Sequence, residues 1–127
     1  MASTTFSGPV TSLNGFIGAI TGNVTGNITG DVFATIQSLS GAGAVNLTDM
    51  MTSLTTTGAS QALTLANGTA GQIKIITHTV DGGSAVLTPT TKIGFSTVTF
   101  TAVGDTVMMI YTAAGWAIIG DRGVTIA

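Results

Sequence analysis

Residues 18–33 read Gly-Ala-Ile-Thr, Gly-Asn-Val-Thr, Gly-Asn-Ile-Thr and Gly-Asp-Val-Phe, one four-residue unit repeated four times. Glycine and aliphatic residues take the even positions (Gly18, Ile20, Gly22, Val24, Gly26, Ile28, Gly30, Val32), while Thr21, Asn23, Thr25, Asn27, Thr29 and Asp31 take the odd ones. Strict alternation marks an extended strand with one apolar and one polar face. Sixteen extended residues span roughly 50 Å at about 3.3 Å each, far beyond a usual strand of about 5–6 residues. A glycine ladder leaves a thin ridge that one chain cannot bury against itself. Two readings compete, a flexible Gly-rich arm and an extended arm completed by assembly. Regular Val and Ile favour the second, because disordered segments lack such residues.

Composition narrows the classes open to the remainder. The 127 residues amount to one domain with an appendage. Three basic and five acidic residues give a net charge of −2, and no glutamate occurs. Charged residues make up about a quarter of an ordinary soluble domain, so this surface is built from Thr, Ser, Asn and Gly. Threonine, about a fifth of the chain, suits a pleated surface. Three scattered cations speak against nucleic acid, which needs clustered Lys and Arg, and against a peripheral membrane protein, which needs a basic amphipathic face. No apolar run reaches the roughly 18 residues of a membrane span, and the N-terminus lacks the pattern of a secretory signal. Cysteine is absent, so disulfides and thiolate metal sites are out of reach. A weakly charged, apolar-rich chain dissolves poorly alone, which implies that other subunits cover much of it.

Along the chain, residues 1–33 read as the arm, 34–46 as a Ser/Gly/Ala-rich connector, and 47–127 as a β domain. Val32–Leu39 also tolerates a helix. Met50–Thr57 and Ala62–Leu65 read as strands parted near Gly58, and Asn67-Gly68 as a turn whose residues accept positive φ. Ile73–Val80 ends at Asp81-Gly82-Gly83, which predicts a tight hairpin answered by Ala85–Leu87. Ile93–Val103 is the longest candidate strand, and its shift of apolar parity predicts a bulge or bend near Ser96-Thr97. Val107–Tyr111, apolar on both faces, reads as central or interface-buried and turns at Ala114-Gly115 into Trp116–Gly120. Short strands with connectors too short for parallel crossovers predict an all-β fold, an antiparallel β-sandwich of jelly-roll type.

Little chemistry is offered. His78 is the only imidazole and alternates in phase with Ile76 and Val80, the setting of a packed histidine. Ser84, Asp81 and His78 are close in sequence, but a catalytic triad also needs an activated nucleophile and an oxyanion hole. Asp81, Asp105 and Asp121 lie beside glycines and read as turn residues. No catalytic, cofactor-binding or metal-ligating residue is singled out. Tyr111 and Trp116 suggest an aromatic anchor in a core or interface ahead of a glycan-stacking platform.

The run from Leu54-Thr-Thr-Thr-Gly to Gln72-Ile-Lys74 resembles small virion surface proteins of tailed bacteriophages, especially those of cyanobacteria and other aquatic hosts. So do Asp81-Gly-Gly-Ser-Ala-Val-Leu-Thr-Pro89, Gly94-Phe-Ser-Thr-Val-Thr-Phe100, and Gly104-Asp105 leading to Gly115-Trp116. Gly-Asn-Val-Thr units also resemble segments beside such domains. This resemblance, to capsid decoration (cement) or head-fibre proteins, implies a non-enzymatic β domain that assembles as a homotrimer on the outer surface of a phage head. The implied partner is the major capsid protein. Phe6, Phe16, Ile20, Val24, Ile28 and Val32 would then be the arm's capsid contacts, and Met109, Tyr111, Trp116 and Ile118 the trimer interface or core. A fibre tip that binds a host receptor or glycan is the other role the resemblance allows.

Overall fold

The computed structural model describes Ser7 and residues 24–127, and the chain divides into two units, 1–31 and 32–127. In the first unit, Val24–Asp31 makes no strand pairing, and Val24 and Ile28 are exposed. Gly26 and Gly30 share nearly one backbone angle, φ +132° and +133°. Glycine alone enters that region readily, so the sequence repeat is there a backbone repeat as well. Phe6, Phe16 and Ile20 lie outside the described residues.

The second unit holds ten strands: β1 (Ile36–Ser40), β2 (Gly43–Val45), β3 (Met51–Thr55), β4 (Gln61–Leu65), β5 (Ile73–Val80), β6 (Ala85–Pro89), β7 (Val98–Phe100), β8 (Thr106–Thr112), β9 (Gly115–Arg122) and β10 (Thr125–Ile126). They form two mixed five-stranded sheets, β1-β3-β5-β8-β9 and β10-β7-β6-β4-β2, and none of the described residues is helical. Period-two burial along the strands aims Leu54, Ile76 and Val107 of the first sheet at Leu63, Leu87 and Phe100 of the second. The result is an all-β sandwich.

The sandwich is not antiparallel throughout. Strands β1 to β6 alternate between the sheets, and β1·β3, β3·β5, β2·β4 and β4·β6 all pair parallel. Each parallel crossover runs through a strand of the opposite sheet, so two short corners replace the long connection that parallel pairing ordinarily demands. Three two-strand coils are stacked in this way. Only then does the chain reverse, with β6·β7, β5·β8, β8·β9 and β10·β7 antiparallel.

This topology corrects several sequence expectations. Asp81-Gly82-Gly83 makes a corner between sheets instead of a hairpin, since β5 and β6 never pair. The connector 34–46 contains β1 and β2, and the helix allowed over Val32–Leu39 gives way to β1, whose Gln37 and Leu39 face inward while Ile36, Ser38 and Ser40 face out. Ile93–Val103 contracts to β7. Its expected break at Ser96-Thr97 is present, with both amides bonded to the Ala127 carbonyl. Neither Asn67 nor Gly68 has positive φ. Gly68 instead admits the aromatic pair, because a Cβ there would stand 3.0 Å from the Trp116 ring and 3.1 Å from Tyr111. The β8–β9 hairpin forms as expected, with Thr112 opposite Gly115.

The corners stack as closely as the strands. Gly41 N–H donates to the Thr55 carbonyl at 2.9 Å, and Thr56 N–H to the Val80 carbonyl at 2.9 Å. A Cβ on Gly82 would fall inside the Thr56 carbonyl, and one on Gly83 inside the Gly58 carbonyl, with Gly83 already at φ +144°. Gly83→Ala should therefore cost about 2–4 kcal/mol, from overpacking against backbone added to strain. Gly71→Ala, at φ +90° but facing open space, should cost only about 1 kcal/mol. Urea midpoints at unchanged slope measure both.

Candidate interaction surfaces

The residues with chemical capacity are spent inside the fold. Lys74 and His78 share the inner face of β5 with Ile76, and both are fully buried. Lys74 Nζ donates to the Asp49 backbone carbonyl at 2.7 Å. Asp49 in turn accepts from Asn46 Nδ2 at 2.7 Å and donates its N–H to Asn46 Oδ1 at 3.0 Å. Gln37 Oε1 accepts both Asn46 N–H and Thr52 Oγ1–H. Together these bonds tie the 46–49 segment to β1, β3 and β5.

Thr56 Oγ1 is a second hub. It accepts Gly82 N–H at 2.9 Å, lies 3.0 Å from the Gly83 carbonyl, and lies 2.9 Å from His78 Nε2. With its one proton directed at the carbonyl, the bookkeeping assigns the ring hydrogen to Nε2. His78 Nδ1 is buried without a partner. Ser84 Oγ accepts Ser60 N–H, and Asp81 Oδ1 accepts Gly83 N–H. Ser84, Asp81 and His78 thus each serve a corner and form no hydrogen-bonded triad. Among the described residues, no three His, Asp or Glu side chains converge.

Asp105 is the third case. Its Oδ2 accepts Thr101 N–H at 2.7 Å and Ala102 N–H at 3.0 Å, closing the turn between β7 and β8. The turn role read from its glycine neighbour is what it performs.

The β8–β9 residues expected at a trimer interface or core lie in or against the chain's own core. Met109 and Trp116 are fully buried, and Tyr111 and Ile118 are half-buried against that core. Trp116 Nε1 donates to the Ala66 carbonyl at 2.9 Å, and the Tyr111 ring meets the indole edge-on at 5.1 Å. Neither Met109 nor Trp116 offers surface to another subunit, and Trp116 offers none to a sugar. Apolarity on both faces of β8 was legible in sequence, but the inward face is the one these residues occupy.

The two most exposed large apolar side chains among the described residues lie where the chain enters the sandwich. Val32 is 74% exposed and Phe33 86%. Phe33, Leu47, Met50 and Ile73 line a groove of about 440 Å³ beside them. Sequence reading missed this groove, because Leu47 enters it from a segment between strands with no periodic signal, and Met50, read as the start of a strand, lies just before β3. Comparison with known proteins returns no matching family model, no matching curated protein and no matching solved structure.

Two ionisable groups give the fold a pH signature. Burial alone would raise the Asp105 carboxyl, but hydrogen bonds from Thr101 and Ala102 and the nearby His78 outweigh it and hold the carboxyl below the usual range. Its contribution is then complete above the unfolded value and lost as pH falls through the folded one, below about pH 4. Asp105→Asn should cost about 1–3 kcal/mol at pH 7 and remove that acid-side loss, as followed by urea unfolding across pH. Burial pushes the Lys74 amine down, against the opposing Asp49 charge. The unfolded chain therefore binds more protons just below about pH 10.4, so stability should rise with pH there in wild type and stay flatter in Lys74→Met.

Proposed function

We propose that this chain is a non-enzymatic bacteriophage capsid decoration protein that binds the outer surface of the assembled head as a homotrimer and stabilises it. Its partner is the major capsid protein, and neither nucleic acid nor membrane takes part. The supporting observation is the run of large apolar side chains left open along the described end of the arm and at its junction: Val24, Ile28, Val32 and Phe33. An extended segment of this kind gains a binding surface by lying along a neighbour, where main-chain hydrogen bonds add to alternate side-chain contacts. Closed symmetry multiplies each weak contact by avidity. The receptor- or glycan-binding fibre tip is the weaker reading, since Trp116 is buried and Tyr111 is half covered.

Burying a Val or Ile side chain contributes about 1.5–3 kcal/mol, so Val24→Asp with Ile28→Asp should weaken binding to undecorated heads by about two to four orders of magnitude. Sedimentation of the full-length variant with heads measures this. Binding equal to wild type would overturn the arm's role as anchor. An unchanged thermal midpoint would show that the β domain is untouched.

A further inference from the structure

The two outer faces of the sandwich are unlike. On the β2-β4-β6-β7 sheet, register lines up Ala44 with Thr64 and Thr88, and Ala62 with Val86 and Thr99. On the other sheet, register lines up Ile36, Met51, Ile75, Met108 and Gly120 in one row across all five strands. A second row joins Ile73, Ile110 and Ala117, and a hydroxyl row of Ser38, Ser53, Thr77 and Thr106 lies on the far side. No charged residue stands in either apolar row. One end of the long row is a knob, Ile36 on the edge strand, 57% exposed. The other end is a hollow. Gly120 has nothing within 4 Å of where a Cβ would be, and a depression of about 320 Å³ opens there beside Met108 and Arg122. The β8–β9 register shift falls at this place and leaves Ile119 as the unpaired extra residue, 53% exposed.

We infer that this outer face is a self-association surface that takes a second copy of the same chain, the Ile36 edge of one copy seated in the Gly120 hollow of the next. Knob and hollow end the same row, four strand spacings or roughly 19 Å apart, so the complementary halves both belong to this face. A two-fold axis lying between facing sheets, parallel to β5, places each Ile36 over the other copy's Gly120 and closes a dimer. The apolar rows carry no charge, and Asp121 and Arg122 at the rim of the hollow lie opposite the other copy's Ile36 edge, so like charges do not meet. The face measures about 24 Å by about 20 Å, so two copies bury on the order of 1,000 Å² in total, the threshold of a specific interface. A contiguous apolar patch of several hundred Å² on a monomer marks such a site.

Self-association through this face requires no capsid, so failure of head binding leaves it standing. The chain has no cysteine, which makes cross-linking unambiguous. Full-length Ile36→Cys and Gly120→Cys, mixed and oxidised, should give a disulfide-linked species of two chains, while either variant alone should not. Light scattering should give wild type a mass above the 12.6 kDa of one chain, with Gly120→Leu falling to that mass and Thr64→Asp, on the opposite sheet, keeping the oligomer. Gly120→Leu adds atoms only to open space within the chain, so it should still unfold in one cooperative transition, with a midpoint that no longer depends on protein concentration as the wild type's does. A monomeric wild type would overturn both this surface and the homotrimer, whereas a dimer would support this surface and overturn the homotrimer. An oligomer that persists in Gly120→Leu, or a mixture that fails to cross-link, would overturn the surface alone.

Discussion

Backbone packed directly on backbone at the corners is the contact on which the rest of the domain depends. A chain that changes sheets after every strand must turn within a few residues and lay each turn on the one before. Gly82 and Gly83 permit this by lying against the Thr56 and Gly58 carbonyls, where any side chain would force the coils apart. Thr56 then joins the corners, bonding Gly82, Gly83 and His78 through one hydroxyl. Once the coils are stacked, parallel register follows, and residues of equal height fall into rows. The inner rows become the core. The outer rows become whatever the odd positions of the strands happen to carry.

Strand existence was legible in this sequence, and strand partnership was not. Ile73–Val80, Ala85–Leu87 and the β8–β9 hairpin announce themselves by local alternation and turn residues, and strands form there, the second running on to Pro89. Yet Asp81-Gly82-Gly83 is chemically suited to either a hairpin or a corner, since both need tight backbone and positive φ. What separates them is the neighbouring corner 25 residues earlier in the chain, roughly one coil away, which no local window contains. The same limit explains β1 and β2. Their residues look like a Gly/Ala connector because each strand is short, and only pairing with β3 and β4 makes them strands. Of the arm, the tetrad regularity was plain, while half of its proposed contact residues lie outside the described structure.

Polar residues that attract attention in the sequence turn out to be fastenings. Lys74 and His78 are where a reader looks for reactivity in a chain with few ionisable groups. Each lies on the inner face of β5 and is bonded to a corner or connecting segment of an adjacent coil. Buried ionic and polar groups are weak sources of stability but strong selectors of register, because a shifted strand leaves them unpaired. In a domain of short strands, where a slip by one residue would turn every side chain over, that selection matters more than the energy. The inner polar rungs and the glycine corners therefore specify the same arrangement from two directions.

Charge scarcity sets the final constraint. With eight ionised side chains in 127 residues, solubility falls to hydroxyls and amides, and these must be placed where water is. Register does this sorting: Thr and Ala occupy the outer face of one sheet, while Ser and Thr fill half of the other. Ile36, Met51, Ile75 and Met108 escape the sorting in one long row, with Ile73 and Ile110 beside them in a shorter one. A serine or threonine at any of them would serve a β-strand as well, as the adjacent hydroxyl row demonstrates on the same four strands. In the isolated domain Met51 and Ile75 are partly covered by their row neighbours, while Ile36 and Met108 stay open to water and expose it to aggregation. Covering Ile36 and Met108 is what the inferred self-association would add, beyond what folding alone gains from this row.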